Sequence, residues 1–519
     1  MYFIVFAAYV IVLSLPDGGP PWATLQGSGW AWLIAIGQVI ATVLVAGVFS
    51  RLVKVKLERE AAWLPAAQMR LGQANTAIKF ALIIGLAASV YLTQWGEIIR
   101  RWVEIAHVGS FPLKGIWGLD ELLMLVPFVA GLLLAWLVLY PADRAVRQVA
   151  LELRLLASAP ARPVWRIVSY LNFMVRQHLL VIAIPMTLIV VANDAVQAYS
   201  GRIRAWTGVV WSDQAVLVMV AGVVFFFAPV MLRYVWHTRV LPQGDLRRRL
   251  DELCRRVRLR YRQILIWESD GMVVNAAVMG LLRPVRYIML SDGLLEMMED
   301  EKIEAVFGHE AGHVKHHHIT FYLLFAVVSM LLVGGITELV VWAMTQWPEY
   351  FPERRLMYDY LQVGSMLLIV LVWAFGFGAV SRRFEWQADL FGARSVTPPA
   401  SGCRHPCFVH GTALNGLHPE SGDAGTSPTS SDLDRLVCVT SATLFAEALA
   451  RIAALNGIPV EARSWRHSSI GNRVRLLRRF AHDPAALASF ERSVRIIKGI
   501  MLACTVVGVS IAAWLYWPF

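Results

Sequence analysis

Long apolar runs, separated by short polar and often basic stretches, fill the first half of the chain and return near its end. A helix needs about 20 apolar residues to cross a bilayer. Such runs are read at 29–49, 77–95, 119–140, 179–199, 214–236, 319–344, 360–380 and 496–517. A shorter one at 2–15 fits an interfacial or partly buried helix. It has neither a basic leading region nor a small-residue cleavage site, so it is not read as a cleaved signal peptide.

Between 263 and 291 the period changes from long apolar spans to short alternation. Ile264–Trp267, Met272–Ala276 and Val285–Leu290 predict strands, punctuated by Asp270-Gly271 and Arg283-Pro284. Ser291 or Asp292 suits the start of one short helix and Asp300 the start of the next. Residues 396–434 are rich in Pro, Gly, Ser and Thr and lack periodicity, which predicts a flexible insertion. It holds Cys403-x-x-x-Cys407 with His405, His410 and His418 nearby, a spacing that matches no standard structural zinc site. From Cys438 to Asn456 a helical pattern resumes, with Leu444, Ala448 and Ile452 as a core-facing stripe.

Composition sharpens this picture. The chain of 519 residues is 57% hydrophobic and 16% charged, with 20 Trp, and its mean hydropathy is +0.54. That is a membrane protein. The net charge of +11 sits in loops between apolar spans, which points to topology and anionic lipid rather than nucleic acid. Basic residues crowd 51–75, 141–177 and above all 239–262, so these segments are expected on the cytoplasmic side. The five dispersed cysteines imply no disulfide framework.

The chemistry centres on His309-Glu310-Ala311-Gly312-His313. On a helix, residues four apart share a face, so His309 and His313 can point two imidazoles at one Zn²⁺. Glu310 then lies beside the open coordination position, where a carboxylate can act as general base. The pattern needs a third ligand, and Ser381-Arg382-Arg383-Phe384-Glu385-Trp386-Gln387-Ala388-Asp389 offers one. Two His and one Glu leave a position for water, the catalytic rather than the structural arrangement. Asp389, four residues after Glu385, would hold a ligand imidazole by its other nitrogen. The plainer reading of Glu385 is a solvated charge beside Arg382 and Arg383. His316, His317 and His318 are read as a solvated helix end near lipid head groups.

The motif His309-Glu310-x-x-His313, a membrane hairpin, then Arg383-x-Glu385-x-x-Ala388-Asp389 resembles the HtpX and CaaX prenyl protease family of integral-membrane zinc metallopeptidases, which are gluzincins. The resemblance runs from about Val274 to Arg479. Asn275-Ala276-Ala277 stands where the family has an Asn-Ala-Phe-Ala-like strand, and His467 to Val474 where it has Thr-His-Pro and then Arg-Ile, with Ser468 in place of the Pro. The resemblance implies an α-helical polytopic membrane protein with a small α+β zincin-like metalloprotease domain. It implies one Zn²⁺ per chain on His309, His313 and Glu385, with Glu310 as catalytic base. Asn275 is expected near the substrate backbone, in line with an edge strand that binds an extended peptide. Its plain alternative is a strand-end Asn. His467 and Arg473 are expected to donate to the oxyanion or to the substrate, although Arg473 also fits a basic helix face with Arg475, Arg478 and Arg479.

The expected organisation is a multi-span region 1–237, the first part of a protease domain 238–318, a membrane hairpin 319–380, a third-ligand helix 381–395, the insertion 396–434, a helical remainder 435–494 and a last span 495–519. The expected function is endoproteolysis of membrane or membrane-associated polypeptides at the cytoplasmic face of a bacterial inner membrane, in quality control or regulation. The partners are a polypeptide substrate and the bilayer, with no nucleic acid, and the oligomeric state is open. A CaaX-type prenyl protease and a non-catalytic receptor or scaffold are the alternatives, and the presence of Glu310 weighs against the last.

Overall fold

The computed structural model describes residues 2–15, 25, 27–108, 111–156, 164–209, 212–271, 273–350, 354–405, 408–410, 436–462 and 464–516. The chain is mostly helical. Among the described residues, eight helices are long and apolar enough to cross a membrane, and Ile4–Leu13 is a shorter apolar one. These coincide with the eight runs and the doubtful ninth read from the sequence.

The helices outgrow the apolar runs that announce them. Ser28–Arg59 and Leu64–Leu92 carry helix through most of the basic stretch 51–75. Lys and Arg are good helix formers, so a polar face can continue a helix beyond the apolar stretch. Contacts divide the chain into two units, Met1–Arg239 with Trp267–Met272, and Val240–Ile266 with Val273–Phe519. The core of the first is apolar and aromatic, with Phe128, Leu132, Trp136, Leu82 and Leu86 fully buried.

The second unit contains the motifs. Three of its strands, Gln263–Trp267, Tyr287–Ser291 and Ala276–Met279, lie side by side in that order. The expected strand 272–276 is displaced: Ala276–Met279 pairs antiparallel with Tyr287–Ser291, Ala277 opposite Met289. Gly280, at φ +96°, ends it; a Cβ there would meet Val285 O at 2.1 Å. Ser291 caps the Asp292–Met297 helix by accepting from Leu294 N at 3.2 Å. The next helix, Asp300–Lys315, is preceded by Glu299 as its cap residue. Asp300 is therefore its first helical residue rather than its cap, where its charge still favours the helix N-terminus.

The helix after it, His318–Gln346, is mostly apolar and long enough to cross a membrane. The return path is helical from Arg354 to Ser395, as Arg354–Leu371, a π turn Val372–Phe377, and Gly378–Ser395. The third-ligand segment is thus the end of a membrane-length helix, Leu367–Ser395. The insertion expected at 396–434 is described at 396–405 and 408–410, with a turn of helix at Ala400–Gly402; the rest, including Cys407 and His418, lies outside the described residues. Helices Val439–Leu455, Ile470–His482 and Pro484–Tyr516 complete the unit.

Candidate metal centre

Two helices make the site, and small residues let them approach. On the Asp300–Lys315 helix, a Cβ at Gly312 would sit 3.0 Å from Phe391 Cβ and 3.1 Å from Ala388 Cα. On the facing Gly378–Ser395 helix, a Cβ at Gly392 would sit 3.0 Å from both Ala305 O and His309 N. Neither backbone position has room for a side chain. Packed this closely, the two helices bring together residues that are 72 to 80 apart in sequence, His309 and His313 on one side and Glu385 and Asp389 on the other.

His309 Nε2 and His313 Nε2 are 3.2 Å apart. Glu385 Oε2 is 3.7 Å from the first and its Oε1 3.6 Å from the second. One donor atom from each residue falls within 4.8 Å of the others. Zinc with bonds of about 2.0–2.1 Å to nitrogen spaces tetrahedral donors by about 3.3 Å. The three groups fit a four-coordinate ion with one position open.

The outer nitrogens of both imidazoles are also engaged. His309 Nδ1 lies 2.9 Å from Asp389 Oδ1, so its proton belongs there and the lone pair of Nε2 faces the centre. Arg473 grips the same carboxylate with two prongs, Nε donating to Oδ2 at 2.8 Å and Nη2 to Oδ1, while its Nη1 lies 3.8 Å from Glu385 Oε2. All three of these groups are buried. Burial by itself would lower the pKa of His309, but the Asp389 carboxylate outweighs it and the pKa is raised.

His313 is held differently. Its Nδ1 is 2.9 Å from His318 Nδ1. His318 Nε2 is 3.0 Å from Gln387 Oε1, which also accepts from Lys498 Nζ at 2.9 Å. One proton arrangement satisfies every member: His313 Nδ1–H donates to His318, and His318 Nε2–H donates to Gln387. Lys498 also donates to His316 O at 2.9 Å. His318 is fully buried and stacks on Phe384, with ring centroids 4.4 Å apart. This corrects the reading of 316–318 as a solvated helix end. His317, exposed and left-handed at φ 56°, lets the chain turn at that point and carries His318 inward. Burial, then His309, pushes the pKa of His313 down to about 3.

Glu310 points to the sheet, its Oε2 accepting from Val278 N at 3.2 Å. Burial, and more weakly the Glu385 charge, raise its carboxyl pKa above the usual range, although His309 opposes this. Ala276–Met279 is an edge strand. Ser291 N donates to Asn275 O, so in the antiparallel alternation Ala277 and Met279 face the neighbouring strand, while Ala276 and Val278 turn their N–H and C=O outward. Asn275 precedes this strand, with an exposed side chain. Its N–H donates to Ser291 Oγ at 3.0 Å.

The Trp465–Ser469 loop supplies the last member. Trp465 Nε1 donates to Ala374 O in the π turn at 2.6 Å, and Arg382 Nη1 donates to Trp465 O at 3.0 Å. Ser468 is left-handed at φ 64° and Ser469 caps the next helix through Asn472 N. The loop sets His467 Nδ1 2.9 Å from Glu385 Oε1, with its side chain half exposed. His467 thus lies at the open side of the cluster and Arg473 at its buried side.

Residue spacing alone points to neither His318, Gln387 and Lys498 nor Asn456, whose side chain bonds Val274 N at 3.4 Å and Val274 O at 2.9 Å to fix the approach to the edge strand. The one available signal was the apolar run following His318, which makes it the first residue of a membrane-length helix.

Residues 241–419 match the model of Peptidase family M48. A protease HtpX homolog of Aeropyrum pernix is 25% identical over 233 residues, 44% of this chain and 71% of that protein. A CAAX prenyl protease 1 homolog of Arabidopsis thaliana is 24% identical over 190 residues, 36% of this chain and 44% of that one. A protease HtpX homolog of Tropheryma whipplei is 33% identical over 138 residues, 26% of this chain and 46% of that protein. The chain thus spans between 44% and 71% of the length of these relatives. The crystal structure of S. mikatae Ste24p aligns with a TM-score of 0.45 at 12% identity, over 86% of this chain and 98% of that one. The likeness to HtpX and CaaX prenyl proteases read from the motifs is present in the family match and in relatives bearing both names.

Proposed function

We propose that this chain is a membrane-embedded zinc-dependent endopeptidase that cleaves membrane or membrane-associated polypeptides at the cytoplasmic face. The observation that carries the reading is the convergence of His309, His313 and Glu385 within 4.8 Å, with Glu310 between them and an open strand edge. Zn²⁺ held there supplies Lewis-acid polarisation of a scissile carbonyl and makes water a stronger acid.

The side chains divide the remaining work. The Ala276 N–H and C=O and the Val278 C=O pair with an extended substrate main chain, which gives tolerance of sequence; Asn275 stands at the start of that strand. Glu310, oriented by Val278 N–H and made more basic by burial, takes the proton of the attacking water and returns it to the leaving amine. His467, exposed beside the ligands, donates to the developing oxyanion or to the substrate backbone. Asp389 orients His309, and Arg473 holds Asp389, so Arg473 is a positioning residue in this reading.

The basic segments 51–75, 141–177 and 239–262 support a cytoplasmic site, and a bacterial inner membrane suits the same reading. Glu310→Gln tests the chemistry. Zinc is expected to stay bound to the purified variant while cleavage of an unfolded membrane protein is lost; cleavage retained at the wild-type rate overturns the assignment. A farnesylated CaaX peptide beside its unprenylated twin tests substrate class. Indifference to the lipid is expected, and strong preference for the lipidated peptide moves the chain to prenyl-protein processing.

A further inference from the structure

A second group of metal-ligating side chains lies outside the catalytic cluster. Cys403, His410 and Cys438 each bring one donor atom within 4.8 Å of the others. We propose that they form a second zinc site, a clasp that closes the base of the 396–434 insertion. Cys403 and His410 stand on the entering limb, and Cys438 stands on the leaving limb just beyond it.

The sulfur spacing favours a metal. Cys403 Sγ and Cys438 Sγ are 3.6 Å apart. Tetrahedral zinc with bonds of about 2.3 Å to sulfur sets two thiolates about 3.8 Å apart, so an ion could enter with a shift of a few tenths of an ångström. A disulfide needs about 2.05 Å, a far larger movement. Thiolate and imidazole together are a donor set that zinc takes readily.

The surroundings hold the three residues in place. Arg404 N donates to Thr440 Oγ1 at 3.0 Å, tying the entering limb to the start of the next helix. Val409 and Cys438 are buried together, with Cys403, Leu436 and Val439 packed around them. Cys438 itself is fully buried, as befits a ligand screened from solvent. His410 Nε2 lies 3.1 Å from Pro398 O. The tautomer that donates there carries its lone pair on Nδ1, the orientation in which a backbone carbonyl commonly fixes a metal-binding imidazole.

The clasp has a route to the catalytic cluster. Cys438 is the cap residue of the Val439–Leu455 helix, and Phe445 on that helix stacks against His309 with ring centroids 6.0 Å apart. A metal at Cys438 would anchor the helix that backs a catalytic ligand.

The catalytic set contains no thiol, which gives the test its discrimination. The full chain is purified in detergent as the His309→Ala/His313→Ala variant, and its zinc is measured by mass spectrometry. One bound zinc per chain is expected, falling to none when Cys438→Ser is added. Cobalt substitution is run in parallel on the otherwise wild-type chain, so that it does not depend on the folding of the double variant. A near-ultraviolet thiolate-to-cobalt band is expected, absent from Cys403→Ser and Cys438→Ser. Zinc missing from the double variant together with a cobalt-loaded wild type that shows no thiolate band overturns the proposal. So does a Cys403–Cys438 disulfide found in the chain as purified.

Discussion

Arg473→Leu separates two roles that the same guanidinium could play. Arg473 is 7% exposed, forks onto Asp389 and lies 3.8 Å from Glu385. Removing it leaves two carboxylates buried beside each other without their cation. A pair of unit charges about 4 Å apart interacts by about 4 kcal/mol at an effective dielectric of 20, and breaking a buried pair from one side costs about 3–5 kcal/mol. Asp389 can shed that cost by taking a proton or by turning away, and either change withdraws the acceptor that fixes the His309 tautomer. Loss of such a supporting group lowers metal affinity by about 10–100-fold. Arg473→Lys keeps the charge without the two-pronged geometry and should fall between. The assay is zinc affinity by chelator competition in detergent, followed by cleavage of an unfolded membrane protein at saturating zinc. Weakened zinc binding with activity largely restored by excess zinc is expected. Wild-type zinc affinity with cleavage abolished even at saturation would refute the positioning role and put the guanidinium on the substrate.

Two further perturbations follow from the same geometry. Gly312→Val should push the two ligand helices apart, because even a Cβ meets Ala388 Cα at 3.1 Å; loss of bound zinc is expected, with Gly499→Ala, where a Cβ meets nothing within 4 Å, as the silent control, and full zinc occupancy in Gly312→Val would contradict the close crossing. Zinc affinity should fall as pH drops through the raised pKa of His309, because below it the metal must displace a proton from that imidazole, while His313, at about 3, is already neutral; calorimetry in buffers of different ionisation enthalpy should find proton release per zinc rising towards one as pH falls below the His309 pKa, and release approaching two would mean that His313 also starts protonated.

The membrane spans were legible because each is a long run of one character, and the two-histidine motif because its spacing is local. What the sequence left hidden depends on contacts between segments far apart. The strand expected at 272–276 forms at 276–279 because Asn456 and Ser291 hold the backbone of Val274 and Asn275 before it begins. The three histidines after the motif look like a polar helix end until His317 turns left-handed and carries His318 into the core. Glu385 reads equally well as a solvated charge beside Arg382 and Arg383, and only the facing helix distinguishes the two readings. In each case a local pattern was compatible with two environments and tertiary packing selected one.

The two histidine ligands are braced by different parts of the unit. His309 leans on Asp389 and Arg473, a fully ionic brace whose cation comes from the Ile470–His482 helix. His313 leans on His318, Gln387 and Lys498, and these stand on three membrane-length helices, His318–Gln346, Leu367–Ser395 and Pro484–Ile511. Lys498 also lies 5.0 Å above Phe321 and 5.1 Å above Phe384, which fixes its head among aromatic faces. A shift of the last helix would therefore reach the candidate metal site through Gln387 and His318 and act on His313 first. The ionic brace on His309 would be left in place. A site built in this way braces one histidine by ion pairing within its own unit and ties the other to the packing of the membrane-length helices, so the spacing of the donors that a metal would take depends on those helices as well as on the two-histidine motif.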